Sequence, residues 1–446
     1  MKKVILAIAA LMAVAWASVY AIAQPAIQTV QMHVKAFALI AHAVLFNLMA
    51  RQGMILGANS LTGLVPTIYE SLDIVSRELI GFIPAVSRNS SGERAALNQI
   101  ITIPLTEAQA LQDTTPAVTA PNTGDQTVDN VSMTISRSKF VPIRWAGEEQ
   151  RGQINAGTYA GTLRDQFTQA FRALANQIET DLFTTGYQNA SRAYGTPGAA
   201  PFGTSGDLSD LAQTAMILDN NGAPLTDRKF VLGATAVANM RGKQSLLLRV
   251  NESGSDILLR TGSISALPVE GFDLHNSNSV KPVAKGTGTA YTSDTAGYAV
   301  GATAITLITG TGTVLAGDTV TFAGDSNKYV VAGGITAPGV ITLAKPGLQQ
   351  AIPAAATALT IGATATSNIA FEKNAIKLIT RAPASPIGPD GKAMDMADDV
   401  IQITDPVSGI TFEVAVYRQF MQLVYHVRLA WGYQAIKQNH IAILFS

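Results

Sequence analysis

The chain has 446 residues, too long for one ordinary core, so two or three domains are expected. Hydrophobic residues make up 47% of it and charged residues only 14%, against about 25% charged in typical soluble proteins, so much of its surface should be buried against something, and subunit contacts are the natural candidate. The absence of cysteine excludes disulfides, thiol nucleophiles and Cys-based metal sites, and a formal net charge of zero is a poor match for a nucleic-acid binder, which needs clustered Lys and Arg.

Met1–Gln24 reads as a signal peptide. Lys2 and Lys3 form its basic start, Val4–Ala17 its apolar stretch, and Ala21-Ile22-Ala23 an A-x-A site before Gln24. A second apolar run, Ala36–Ala50, is short for a membrane span. Residues 1–53 carry Lys2, Lys3, Lys35 and Arg51 and no acidic side chain, leaving the remainder mildly acidic. Export is one reading of this start. The preferred reading makes residues 1–53 an upstream extension outside the mature subunit, with Met54 as the natural start, and an added arm or membrane tether is the runner-up.

Ile68, Leu72, Val75, Leu79 and Ile83 space out one helix face, with Thr67 as its cap and Pro84 as its end. Ile100–Leu105 and the alternating Val131, Met133 and Ile135 predict two strands around a loop-like Asp113–Asn130, a long two-stranded excursion. Thr158–Tyr187 is the clearest helix. Tyr159, Leu163, Phe167, Ala170, Leu174, Ile178 and Leu182 form its stripe, and Gly186 is its expected stop. Shorter helices are expected over Ser205–Asp219 and Thr235–Leu248, with a strand at Lys229–Leu232 between them.

Gly286–Thr366 changes character. It holds five charged residues in 81 and short strands at Ala304–Ile308, Thr319–Phe322, Lys328–Val331 and Val340–Leu343. That predicts a small inserted β-barrel or sandwich. Later, Ile410, Phe412, Val414 and Val416 alternate, as do Leu423, Tyr425, Val427, Leu429 and Trp431. These form an antiparallel hairpin with Arg418–Gln419 between its strands. Pro389–Asp399 reads as an exposed acidic loop, and Ile441–Phe445 as the last strand.

Two blocks carry a wider resemblance. One runs from GANSLTGLVPTIYESLDIVSRELIGFIPAVSRNSS at Gly57 to TAPNTGDQTVDNVSMTISRSKFVPIRWAGEE, ending at Glu149. The other comprises NIAFEKNAIKLITRAPASP from Asn368 and the C-terminal SGITFEVAVYRQFMQLVYHVRLAWGYQAIKQNHIAILFS. Over about 54–284 and 367–446 the chain resembles the major coat protein of the short-tailed phages related to phage P-twenty-two.

The resemblance implies an α+β fold of the Hong-Kong-97 capsid type, with a long spine helix, an extended loop, peripheral and axial domains and an inserted all-β domain. The implied divisions are 54–97 for an N-terminal arm and 98–150 for the extended loop and peripheral strands. Spine helix and axial domain take 151–284, the insert 285–366, and the return to axial domain and β-hinge 367–446. It also implies self-assembly into pentamers and hexamers of an icosahedral shell around double-stranded DNA. A scaffolding protein and a portal ring would be partners, assembly would be cytoplasmic, and the mature form would have no membrane. The competing class is an exported β-rich surface protein, an adhesin or surface-layer subunit.

No chemistry-bearing motif is present. Gly242-Lys243 lacks the preceding glycine of a phosphate-binding loop, and Gly203-Thr204-Ser205-Gly206 fails the nucleophile pattern. His33, His42, His275, His426 and His440 have no zinc-site spacing, and Asp395, Asp398 and Asp399 lack calcium-loop spacing, so they read as a solvated loop. No catalytic residue, metal or cofactor is expected. Glu148 and Glu149, read as strand neighbours, would point to opposite faces and so cannot flank one bond. With Arg144 and Trp145 they are the candidates for an assembly interface.

Overall fold

The computed structural model describes residues 61–78, 81–106, 116, 128–204, 207–242, 268–389, 394–405 and 408–446. They belong to one compact unit, Leu61–Ser446. The signal-like stretch, Met54, most of the expected loop tip and the end of the Thr235–Leu248 helix lie outside the described residues.

Helix α1 spans Val65–Glu78 and a one-turn α2 spans Phe82–Ala85. Thr67 is inside α1 rather than its cap, and its carbonyl accepts the Ser71 hydroxyl. Pro66 sits in the first turn instead, at a position where a missing N–H costs nothing. Pro84 does not end a helix either. It sits within the first turn of α2, where again no intrahelical N–H is needed.

Strand β1 (Ser87–Ala95) leads to β2 (Ile100–Thr106) and β3 (Val128–Thr134), then to β4 (Arg137–Ala146), α3 (Gly147–Asn155) and the 30-residue helix α4 (Tyr159–Gln188). At ~1.5 Å per residue α4 is about 45 Å long. All the predicted stripe except Tyr159 is buried, but so are Phe171, Ala175 and Phe183. The helix is covered on two sides, by α1 and by a six-stranded sheet. Phe167 meets Tyr425 edge-on at 5.6 Å and Phe171 meets Phe412 at 4.9 Å. Each such buried ring contributes roughly 1.5–3 kcal/mol of transfer free energy. Gly186 does not stop the helix. A Cβ there would come within 2.8 Å of Ile369 Cδ1, so glycine permits the close approach of helix and sheet.

The six-stranded sheet runs β1, β15 (Ile376–Pro383), β18 (Gln422–Ala435), β17 (Thr411–Gln419), β16 (Asp399–Thr404), with β4 on the other side of β18. The hairpin turn is Phe420-Met421, not Arg418–Gln419. Gln419 pairs directly with Gln422, and Met421 takes a positive φ of 51°.

The second sheet contains β5 (Arg192–Tyr194), β19 (Ile441–Phe445), β14 (Ala365–Glu372), β6 (Arg228–Leu232) and β7 (Phe272–Asn276) in that order. Helices α5 (Ser209–Asn220) and α6 (Ala234–Arg241) flank β6, and β6 and β7 pair in parallel, as a β–α–β crossover requires. Phe230, Phe272, Leu211 and Leu218 fill a separate core here.

Between them in sequence lie β8 (Pro282–Val283), β9 (Ala304–Leu307), β10 (Thr319–Phe322), β11 (Lys328–Gly333), β12 (Gly339–Leu343) and β13 (Leu359–Ile361). Strands β9–β13 enclose a third core of thirteen buried residues, among them Tyr291, Ile305, Phe322 and Leu343. The segment is not detached. Lys328 pairs with Ala193 and Tyr329 with Arg192, which joins β11 to β5. Its two ends also meet, with Val283 opposite Ala365 and Pro282 opposite Thr366.

Strands β2 and β3 form a sheet of their own, with seven paired positions from Ile100–Thr134 to Thr106–Val128. Among the described residues the ribbon joins the body toward its root, where Met133 and Ile135 pack with Ala95, Ile379 and Ala430, and the half-buried Ile101 and Ile103 lie against them. Gly432 makes this possible, because a Cβ there would collide with the Thr134 carbonyl.

Candidate assembly surface

The four residues singled out from sequence meet at one end of the six-stranded sheet. Arg144 and Trp145 lie at the end of β4, opposite Val424 and Leu423. Alternation along β4 turns Arg144 to solvent and Trp145 into the core, where it meets Tyr159 edge-on at 5.3 Å. Its indole N–H is buried without a hydrogen-bond partner. Glu148 and Glu149 are exposed, but not on a strand. They occupy the first turn of α3, a favourable place for acids at the positive helix end. Glu149 reaches back to accept the Ala146 N–H at 3.2 Å. The Gly147 N–H donates to the Met421 carbonyl at 3.1 Å, which fixes α3 against the hairpin turn.

An open groove of about 490 Å³ runs between β4 and the long helix, beside Arg144, Thr162, Asp165, Gln166 and Gln169. The Gln166 side-chain oxygen is buried there without a partner. Among the described residues no strand pairs with the outer edge of β4, and Pro142 within it suits an edge strand.

The acidic loop before β16 is not simply solvated. Asp395 accepts the Tyr417 hydroxyl and an Arg428 N–H, both at 2.8 Å. Asp398 pairs with Arg418 at 2.7 Å, and Asp399 accepts the Leu61 N–H at 2.8 Å. Sequence spacing alone could not reveal these partners, which come from distant strands. Burial opposes the Asp395 charge, but hydrogen bonds from Arg428 and Tyr417 outweigh it and hold its pKa below the usual carboxylate range. Burial, helped by Asp395, pushes the Tyr417 hydroxyl up to about 12.

Behind this loop the fully buried Glu413 lies between Arg94 at 2.5 Å and Arg428 at 2.8 Å. His426 sits between the rings of Phe140 (4.6 Å) and Tyr417 (4.9 Å), and burial and Arg428 lower its pKa. Beyond the network, Phe420, Met421, Met394 and Met396 are exposed.

Sequence reasoning missed the buried acids Glu179, Asp181 and Glu413. A signal was available for Asp181, which stands seven residues after Leu174 and three after Ile178 on the predicted stripe, but not for Glu179, which lies off it. Among the described residues no three His, Asp or Glu side chains converge as a metal site, and no helix is long and apolar enough to cross a membrane.

No protein-family model matches the chain, and neither does any curated protein. Solved structures do align. One from Mycobacterium phage Che8 shares 14% identity, with 78% of this chain and 84% of that one covered, at a TM-score of 0.39. The capsid of cyanophage P-SCSP1u shares 10%, with 82% and 87% covered, at 0.40. The virus-like particle from Pyrococcus furiosus shares 9%, with 86% and 100% covered, at 0.39.

Proposed function

We propose that this chain is the major capsid protein of a tailed phage or prophage, related to the short-tailed phage coat proteins it resembles and built on the Hong-Kong-97-type plan. One observation carries the reading: the β2–β3 ribbon. A lone two-stranded ribbon is marginal in water, and among the described residues this one packs on the body through its root half. It makes physical sense as an element completed by another copy. Charge supports the same arrangement. Residues 98–136 contain Glu107, Asp113, Asp125 and Asp129 and no Lys or Arg, whereas β4 carries Arg137, Lys139 and Arg144 and no acid. The loop of one copy would lie along the next copy's β4, with Arg144, Glu148 and Glu149 at the contact and Trp145 supporting it from within.

In this scheme α4 is the spine helix and the six-stranded sheet with the ribbon is the peripheral domain. The second sheet is the axial domain, 285–366 is an inserted β domain, and 54–97 is the N-terminal arm. The chain acts as a shell component of a virion, without catalysis. Pentamers and hexamers would close the shell through many modest contacts, with a scaffolding protein, a portal ring and packaged DNA as partners and assembly in the host cytoplasm. An exported adhesin or surface-layer protein would leave the long helix and the ribbon without a purpose.

The test is negative-stain microscopy of expressed 54–446 with and without a scaffolding protein. Closed uniform shells are expected. Monomers under every condition would defeat the reading.

A further inference from the structure

The long helix buries two acids, and they face opposite ways. Asp181 accepts the Trp431 indole N–H at 3.0 Å and lies 3.5 Å from Arg137. Among the described residues no cation pairs with Glu179. Its Oε2 accepts the Phe82 N–H and the Ser277 hydroxyl, both at 2.8 Å, and its Oε1 accepts the Ile83 N–H at 2.7 Å. These donors belong to two segments remote in sequence, the turn α2 and the residue just after β7. Gly81 lies directly against the carboxyl group. A Cβ there would overlap Glu179 and come within 2.9 Å of Ser277 Cβ, so the junction is shaped around this side chain.

The charged groups nearby are engaged elsewhere. On β6, Arg228 binds Asp219 and Lys229 binds Asp273 of β7. On β14, Glu372 accepts from Asn374. Strand β7 also carries His275, α2 has no charged residue, and the neighbouring turns of the long helix present Ala175, Ile178, Leu182 and Phe183. None of these groups bonds to Glu179 or shifts its ionisation. Burial pushes its carboxyl up, and the three hydrogen bonds offset only part of that. Ser277 can serve both protonation states. Its hydroxyl donates to a carboxylate and can accept from a neutral carboxyl O–H.

We propose that Glu179 and Ser277 form a proton-dependent latch that holds the 81–86 turn to the long helix and loosens as Glu179 ionises. Opening exposes the carboxyl to water, where its pKa returns to about the ordinary value of 4.5. The closed state has the higher pKa. The latch is therefore at full strength below the ordinary value and weakens as pH rises through the closed-state value. Between the two, opening releases one proton, and the opening equilibrium rises by at most about tenfold per pH unit.

Hydrogen–deuterium exchange of the full chain from pH 5 to 8 reads this at the Phe82 and Ile83 amides, after correction for intrinsic exchange. Their protection is expected to fall with pH while amides in the middle of α4 keep theirs, and Glu179→Gln should flatten the dependence. A wild-type protein with no residual pH dependence at these amides overturns the proposal, whether or not the variant folds. So does a slope shared equally by the α4 amides, which would mean global opening, or one retained in Glu179→Gln.

Discussion

The ribbon and the 285–366 segment both leave the main body as strands joined by turns, yet they stand on different footings. The ribbon has seven paired positions, and its described apolar side chains pack toward the root, in a cluster shared with the body. The segment has shorter strands, but Tyr291, Ile305, Phe322 and Leu343 close on one another and exclude water. Hydrogen-bonded length does not confer independence. What does is whether the strands have a shared apolar interior, because backbone pairing alone returns little net free energy over water. An element without its own interior must find one in a neighbour.

Removing the expected loop tip, Thr115–Asn130, tests this most severely. Shell formation should be abolished while the monomer's melting temperature stays nearly unchanged, as microscopy and calorimetry together would show. Normal shells from the deletion would erase the distinction. Phe322→Ala strikes the other region. It empties a fully packed site and should cost about 3–5 kcal/mol. The loss should appear as a separate early calorimetric transition, with the rest of the molecule melting later. A single transition moved as a whole would mean that the β5–β11 pairing fuses the segment to the body.

A smaller effect sharpens the picture. Asp318 is buried in the segment and accepts from the Gly286 and Leu315 N–H groups. Burial raises its pKa despite those bonds. Its contribution to the segment's stability is therefore greatest below the ordinary value of 3.8 and is lost as pH rises through the raised value. The segment's melting temperature should fall over that window relative to Asp318→Asn, with the difference read from paired thermal scans.

The strands and the long helix were legible because each shows its buried face as a period. Leu163 to Leu182 repeats every three or four residues, and Ile410 to Val416 alternates. What the period could not convey was the second covered side of α4, since a stripe marks one face and Phe171 and Phe183 lie off it. The helix ends were misread for a related reason. Gly186 and Pro84 are punctuation in isolated peptides, but here Gly186 answers to Ile369 across a packed interface and Pro84 occupies a turn that needs no N–H. At the candidate surface, alternation along β4 decided the outcome. Arg144 faces out and Trp145 faces in, so one dipeptide pairs an exposed cation with a buried ring. The buried Glu413 was hidden because its partners Arg94 and Arg428 reach it from β1 and β18, which only the sheet brings together.

The hydrogen-bonded neck of the 285–366 segment, Val283 opposite Ala365 and Pro282 opposite Thr366, has a further consequence for the chain as a polymer. Most of an excursion's entropic penalty lies in bringing its ends together, and each doubling of its length adds only about 0.6 kcal/mol. Here the body itself holds the ends side by side. The neck thus works as a socket, into which sequences of very different length and shape could be grafted while the surrounding sheet keeps its register.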